Sequence, residues 1–248
     1  MLPWLASPIP AFPNTAMALD TPNGLLAAGG ELSPTWLVHA YRRGIFPWYS
    51  DDDPILWWSP DPRMVLAPAE FRLRRSLAKR LRNGGFHVTL NQDFDRVIHA
   101  CAAPRQGEPG TWINPEMRVA YQALHALGIA HSIEVRHGDH LVGGLYGLAM
   151  GPVFFGESMF SSAPDASKIA LAHLARAMAD NGGLLIDCQM HTPHLERLGA
   201  TPIARETFIG YLDQWLPEKA FAPTRHGAKI PDVPASPWLD AIPDAYSR

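Results

Sequence analysis

Two apolar runs of this chain end in side chains that can do proton chemistry. "LLIDCQ" closes on Asp187 and Gln189, and "PVFFGES" on Glu157 and Ser158. A carboxylate and an amide projecting from a strand end can be an orienting and proton-handling pair. Acid and amide groups from two neighbouring strand ends would form a polar cleft. Phe154, Phe155, Met159 and Phe160 in and after the second run would stand around it, giving the cleft apolar walls, the usual form of a small-molecule site.

The same stretch offers two competing chemistries. Cys188, His191 and His194 give a C-x2-H-x2-H pattern with Asp187 as a fourth ligand, but zinc needs all its ligands on one side. Alternation along a strand sends Asp187 and Gln189 to one face and Cys188 to the other. No metal site is expected. Cys188, between Ile186 and Met190, reads as a small core hydrophobe and not as a nucleophile.

The elements that would carry these residues follow from pattern. Ser33 and Pro34 start a helix whose apolar face is Leu37, Ala40 and Tyr41, stopped at Gly44. Asn114 and Pro115 start another, with Ala120, Tyr121, Leu124 and Leu127 on one face. Strand-like runs at 131–136, 141–148 and 152–158 are joined by "HGD" and "MGP", which predicts an antiparallel meander. "DASKIALAHLARAMADNGG" is a helix that crosses over to the strand 184–189, placing it in the same sheet. The reading is α+β with a mixed, mainly antiparallel sheet. It divides into a small N-terminal domain (1–65), a catalytic domain (66–216) and a proline-rich extension (217–248).

Near the start of the catalytic domain, Arg72, Arg74, Arg75, Lys79, Arg80 and Arg82 fall within eleven positions without an acidic residue. That is a candidate phosphate-binding surface, with Arg75, Lys79 and Arg80 the residues expected to meet phosphates. Trp57 and Trp58 fit either a core or a surface, whereas Trp48, between Pro47 and the polar segment 50–53, suits a ring that stacks on a planar ligand. The whole chain, 248 residues with 21 Lys+Arg against 24 Asp+Glu, is not basic overall. Its 47% hydrophobic content supports a sizeable core. Two cysteines, Cys101 and Cys188, no signal-like start and no long apolar run predict a cytoplasmic protein without membrane attachment.

The architecture resembles the acetyltransferase superfamily. Its pyrophosphate loop would be "SSAPDASK", which lacks glycine and carries Asp165 at the helix start, a poor anion cradle. A closer resemblance lies in "PNGLLAAGGELSP", "AYRRGIFPWYS", "DPILWWSPDPR", "GTWI", "HSIEVR", "LVGGLYG", "FGESMFS", "ASKIAL", "LIDCQ" and "HLERLGA". Over residues 22–216 the chain resembles the leucyl/phenylalanyl-tRNA-protein transferases. The resemblance implies a small N-terminal domain and a GNAT-like C-terminal domain. It implies transfer of Leu or Phe, less readily Met, from aminoacyl-tRNA to proteins with N-terminal Arg or Lys, as a mark for N-degron degradation.

By the same resemblance Asp187 and Gln189 bind and orient the amine and handle its proton, and Glu157 supports them. Trp48 and Trp112 hold the 3'-terminal adenosine. Leu145, Phe154, Met159, Leu174 and Ile186 line the pocket for the aminoacyl side chain, with Leu145 and Leu174 departing from the family's usual residues. No cofactor is implied. A coenzyme A-dependent N-acetyltransferase and a non-catalytic tRNA-binding adaptor are the competing readings.

Overall fold

The computed structural model describes residues 1–6, 8–103, 113–217 and 233–246. Its first part is a four-stranded sheet of short strands, β1 (Trp4–Leu5), β2 (Leu25–Gly29), β3 (Phe46–Pro47) and β4 (Leu56–Trp58), in the order β1-β2-β4-β3. Helix α1 (Pro34–Arg42) packs with it. Trp36, Trp57 and Phe12 close the small core: the two indoles stack with centroids 6.1 Å apart, and Phe12 meets both edge-on. Trp57 is fully buried and Trp58 nearly so, which resolves their place in favour of the core.

A seven-stranded sheet follows. It is built from β5 (Arg63–Leu66), β6 (Phe86–Leu90), β7 (Ala130–His137), β8 (His140–Met150), β9 (Val153–Ser161), β10 (Leu185–Gln189) and β11 (Thr201–Ile203). The order is β11-β5-β10-β9-β8-β7-β6. The meander β7-β8-β9 is antiparallel as expected, and β10 lies parallel to β9. β5, β6 and β11 were not read from the sequence, and β5 begins three residues ahead of the boundary read at 66. The class is α+β with a mixed sheet.

Among the described residues seven α-helices accompany these sheets; besides α1 they are α2 (Arg75–Asn83), α3 (Phe94–Cys101), α4 (Pro115–Ala126), α5 (Ala166–Asp180), α6 (Pro193–Arg197) and α7 (Arg205–Trp215). Local chemistry sets their starts. The Asn114 side chain accepts the Met117 amide at 2.8 Å ahead of Pro115, a cap worth about 1 kcal/mol. Adjacent residues of β9 enter opposite cores, as a period of two requires. Phe155 joins Tyr41, Tyr121 and Tyr146 on the side of α1, α3 and α4, and Phe154 joins Leu174, Met178 and Ile186 on the side of α5.

No helix among the described residues is long and apolar enough to cross a membrane. Residues 233–246 fold back onto the α5 side, where Trp238 and Ile242 are buried.

Candidate active site

The parallel ladder between β9 and β10 pairs Leu185, Ile186 and Asp187 with Val153, Phe154 and Phe155, and goes no further. Beyond it β10 stays paired with β5 alone: the register of that pair shifts between Asp187 and Gln189, and Gln189 adopts a left-handed φ of 62°. At the point of parting, a Cβ on Gly156 would stand 3.3 Å from the Asp187 carbonyl oxygen, so a glycine lets the backbones stay close. A cavity of about 580 Å³ lies where the strands part.

Asp187 is fully buried and its carboxylate is occupied. Arg63 Nε donates to Oδ1 at 2.8 Å and Arg63 Nη2 to Oδ2 at 2.6 Å, a bidentate pair. The Gln189 backbone N–H donates to Oδ1 at 2.9 Å. Arg63 is itself 1% exposed, donates through Nη1 to the Gly44 carbonyl at 3.1 Å, and lies against the rings of Phe46 and Phe208. The ion pair therefore fixes the bulge that aims Gln189.

Glu157 holds the side chain of Gln189. Oε1 accepts Gln189 Nε2 at 2.8 Å and the Tyr41 hydroxyl at 2.7 Å, while Oε2 accepts the Tyr121 hydroxyl at 2.8 Å. With its nitrogen committed, Gln189 presents Oε1 as an acceptor that no described residue engages. Burial pushes the Glu157 carboxyl up to about 7; the two tyrosine donors oppose that shift, the Asp187 charge adds to it and Arg63 opposes it. The tyrosine hydroxyls also touch each other. Three O···O contacts thus share two phenolic protons when Glu157 is ionised, and the carboxyl proton supplies the third. Burial, followed by the Glu157 charge, pushes both phenols well above their ordinary range.

The sequence-predicted residues converge on this cavity. Leu145, Phe154, Met159, Leu174 and Ile186 line it together with Glu157, Asp187, Gln189 and Trp48. Trp48 is 36% exposed and meets Trp58 edge-on at 5.3 Å, while Trp58 Nε1 donates to the Trp48 carbonyl. Trp112 lies outside the described residues.

Cys188 departs from the expected alternation. It lines the cavity beside Asp187 and Gln189 and is half-buried, because the bulge rotates the strand after Asp187. Burial and then the Asp187 charge push its thiol far up. His191 bonds the exposed Glu196 at 3.2 Å, and His194 lines the cavity. Among the described residues, no group of three or more His, Cys, Asp or Glu side chains is placed to hold a metal.

The basic segment is only partly helical, and its cations differ. Arg75 and Lys79 on α2 are exposed, but Arg80 pairs with Asp165 at 3.2 Å, and so does Lys168 at 2.7 Å. A second cleft, about 100 Å³, is lined by Arg72, Arg74, Lys168, Arg197 and His194, with Asp165. His194 borders both cavities. Burial, then Lys168 and Arg197, lowers its affinity for a proton.

Arg63, Tyr41 and Tyr121 escaped the sequence reading. Arg63 stood at the end of the turn-rich "SPDPR", and both tyrosines counted as helix apolar faces. The available signal was an arginine directly ahead of the apolar "MVL" and a phenol on the buried face of each of two helices.

A mixed-sheet α+β fold, with buried acid and amide groups beside an apolar cavity, defines an enzyme site, and sequence comparison gives its class as a transferase. Residues 65–213 match the leucyl/phenylalanyl-tRNA protein transferase family, and residues 30–61 match the N-terminal domain of that family. The chain belongs to the leucyl/phenylalanyl-tRNA protein transferase family. It is 62% identical over 216 residues to the leucyl/phenylalanyl-tRNA–protein transferase of Chromohalobacter salexigens, spanning 87% of this chain and 84% of that one. With the same-named protein of Azoarcus sp. (strain BH72) it shares 59% over 218 residues, 88% and 92% of the two chains.

Among solved structures, L-PGS from Bacillus licheniformis overlaps at 12% identity and a TM-score of 0.38, covering 62% of this chain and 50% of that one. A GCN5-related N-acetyltransferase from Kribbella flavida overlaps at 12% and 0.36, covering 65% and 57%. Both overlaps are too slight to carry an argument.

Proposed function

We propose that the protein moves leucine or phenylalanine, and less readily methionine, from aminoacyl-tRNA to the α-amino group of proteins beginning with Arg or Lys. The products would be marked for N-degron degradation in the cytoplasm. One observation supports this reading above the others: Gln189 and Glu157 share a single cavity with the apolar residues Leu145, Phe154, Met159, Leu174 and Ile186. That combination suits an aminoacyl group, with an apolar side chain at one end and a polar reacting centre at the other.

An aminoacyl ester is already activated, so positioning and proton removal are what the reaction asks of the protein. The α-amino nitrogen attacks the ester carbonyl carbon. The bond to the ribose 3'-oxygen then breaks, and that oxygen leaves with a proton. Gln189 Oε1 accepts an N–H of the amine and aims its lone pair. Glu157 fixes the orientation of the Gln189 amide, and Asp187 acts through the Gln189 backbone instead of touching the amine itself. No covalent enzyme intermediate is needed.

Trp48 and Trp112 stack on the terminal adenosine, and the basic surface meets tRNA phosphates without reading sequence. Arg75 and Lys79 are available for this, whereas Arg80 must first release Asp165. That carboxylate, at the start of α5, also argues against an acyl-coenzyme A pyrophosphate at the same helix end.

The test is transfer of labelled leucine from charged tRNA to a peptide beginning with Arg, beside one beginning with Gly. Labelling of the Arg peptide alone is expected. Equal labelling would overturn the acceptor preference, and acetyl-coenzyme A serving as donor would replace the reading with the acetyltransferase.

A further inference from the structure

The C-terminal extension reaches the wall of the reaction cavity. Phe154 lines that cavity, and the indole of Trp238 meets its ring edge-on, with centroids 6.1 Å apart at 77°. Both are 1% exposed, and Trp238 does not itself line the cavity. On another side Phe154 lies against Gly147, where an added Cβ would come within 2.7 Å of its Cε1 and Cζ. The ring is therefore bounded by bare backbone and by the indole.

Trp238 is well anchored. Its Nε1 donates to the Gly151 carbonyl at 2.9 Å, and Ser236 Oγ donates to the same oxygen at 2.8 Å. The Gly151 N–H donates to the Pro234 carbonyl at 2.9 Å. Further on, His173 of α5 donates through Nδ1 to the Ile242 carbonyl at 2.8 Å, and Ile242 is fully buried. The extension is thus tied both to the turn that leads into β9, which carries the cavity wall residue Phe154, and to α5, which carries Leu174. The family match ends at residue 213, well short of these contacts.

We propose that Trp238 is a specificity-determining positioning residue: held from outside the cavity, it fixes how far the Phe154 ring can recede and so which aminoacyl side chains fit. The inference rests on the proposed function of the cavity. Interiors have few voids, so removing the indole leaves room into which Phe154 can retreat, and the cavity deepens by part of a ring. A larger side chain gains more from that depth than a smaller one.

The experiment compares kcat/KM for leucyl- and phenylalanyl-tRNA in the full chain and in Trp238→Ala, Trp238→Leu and Trp238→Phe, with thermal melting recorded for each. Trp238→Ala is expected to raise the phenylalanine-to-leucine ratio about threefold or more, mainly through KM. Trp238→Phe, which restores a ring edge, is expected to keep the wild-type ratio. Where Trp238→Ala fails to fold, Trp238→Leu is judged by the same ratio. A folded variant with lowered melting temperature and an unchanged ratio would make Trp238 merely structural and overturn the inference. Wild-type protein that transfers neither amino acid would overturn the reading of the cavity, and this inference with it.

Discussion

Arg63 and Asp187, 124 positions apart, meet in a bidentate pair of 2.8 and 2.6 Å while both are shut off from solvent. Breaking a buried pair from one side strands the other charge, at a cost of about 3–5 kcal/mol. Arg63→Met is therefore expected to lose stability of that order in urea unfolding. The double variant Arg63→Met/Asp187→Leu should recover much of it. Transfer activity should stay depressed in both, on the order of 10²-fold, since the carboxylate that holds the Gln189 backbone has lost its own partner in the single variant and is gone in the double one.

Tyr41 and Tyr121 are expected to act through Glu157. Their hydrogen bonds favour the carboxylate, so Tyr41→Phe/Tyr121→Phe should move the Glu157 midpoint higher, as read by carbon NMR of the labelled carboxyl. Loss of the Tyr121 hydroxyl should cost about 1–3 kcal/mol, because Glu157 Oε2 is left without that donor, and loss of the Tyr41 hydroxyl less, because Oε1 keeps Gln189 Nε2. An unmoved midpoint would sever the proposed coupling.

The raised Glu157 carboxyl makes stability depend on pH in a definite direction. Its ordinary value is 4.5 and burial carries it to about 7, so between those values the folded state binds more protons than the unfolded one. Stability should then fall as pH rises through that window, by up to about 3 kcal/mol from this group. Glu157→Gln, a neutral shape-mimic of the protonated acid, should flatten that part of the curve. The difference between the two unfolding profiles from pH 4.5 to 7 checks it.

Much of the site was legible because its residues sit at strand ends. Glu157, Asp187 and Gln189 follow apolar runs, and the five predicted wall residues lie on elements whose type was read correctly. Three features were hidden for physical reasons. The partner of Arg63 is set by tertiary pairing, which periodicity does not report. A tyrosine on an apolar helix face looks identical whether its hydroxyl is idle or bound. The alternation argument failed at Cys188 because a bulge adds a residue to one strand, and nothing local in "DCQ" announces that.

The basic surface should divide by whether each cation already has a partner. Arg75→Ala and Lys79→Ala are each expected to weaken tRNA binding and to reduce its salt slope by about 0.7–0.9. Arg80→Ala should change the slope less, since Asp165 already neutralises that guanidinium. Titrations of charged tRNA at several salt concentrations compare them, and equal slopes would remove the distinction.

Cys188 should be a quiet neighbour despite its place on the cavity. With its thiol pushed far up by burial and by the Asp187 charge, it should alkylate slowly at pH 8, and Cys188→Ala should keep transfer within about threefold of wild type. Rapid labelling accompanied by inactivation would reopen a role for the thiol.

The placement of β5 has a consequence for how the molecule comes into being. Residues 63–66 lie between β10 and β11, so in the seven-stranded sheet an early strand has only late neighbours, residues 185–189 and 201–203. On a ribosome, this strand must wait through more than a hundred residues of synthesis before it finds a ladder, and such distant pairings slow folding. Until then Arg63 has no counter-charge and Gln189 does not exist. On the proposed assignment, the growing chain is silent in transfer until β10 arrives, because a product truncated before β10 lacks Asp187 and Gln189.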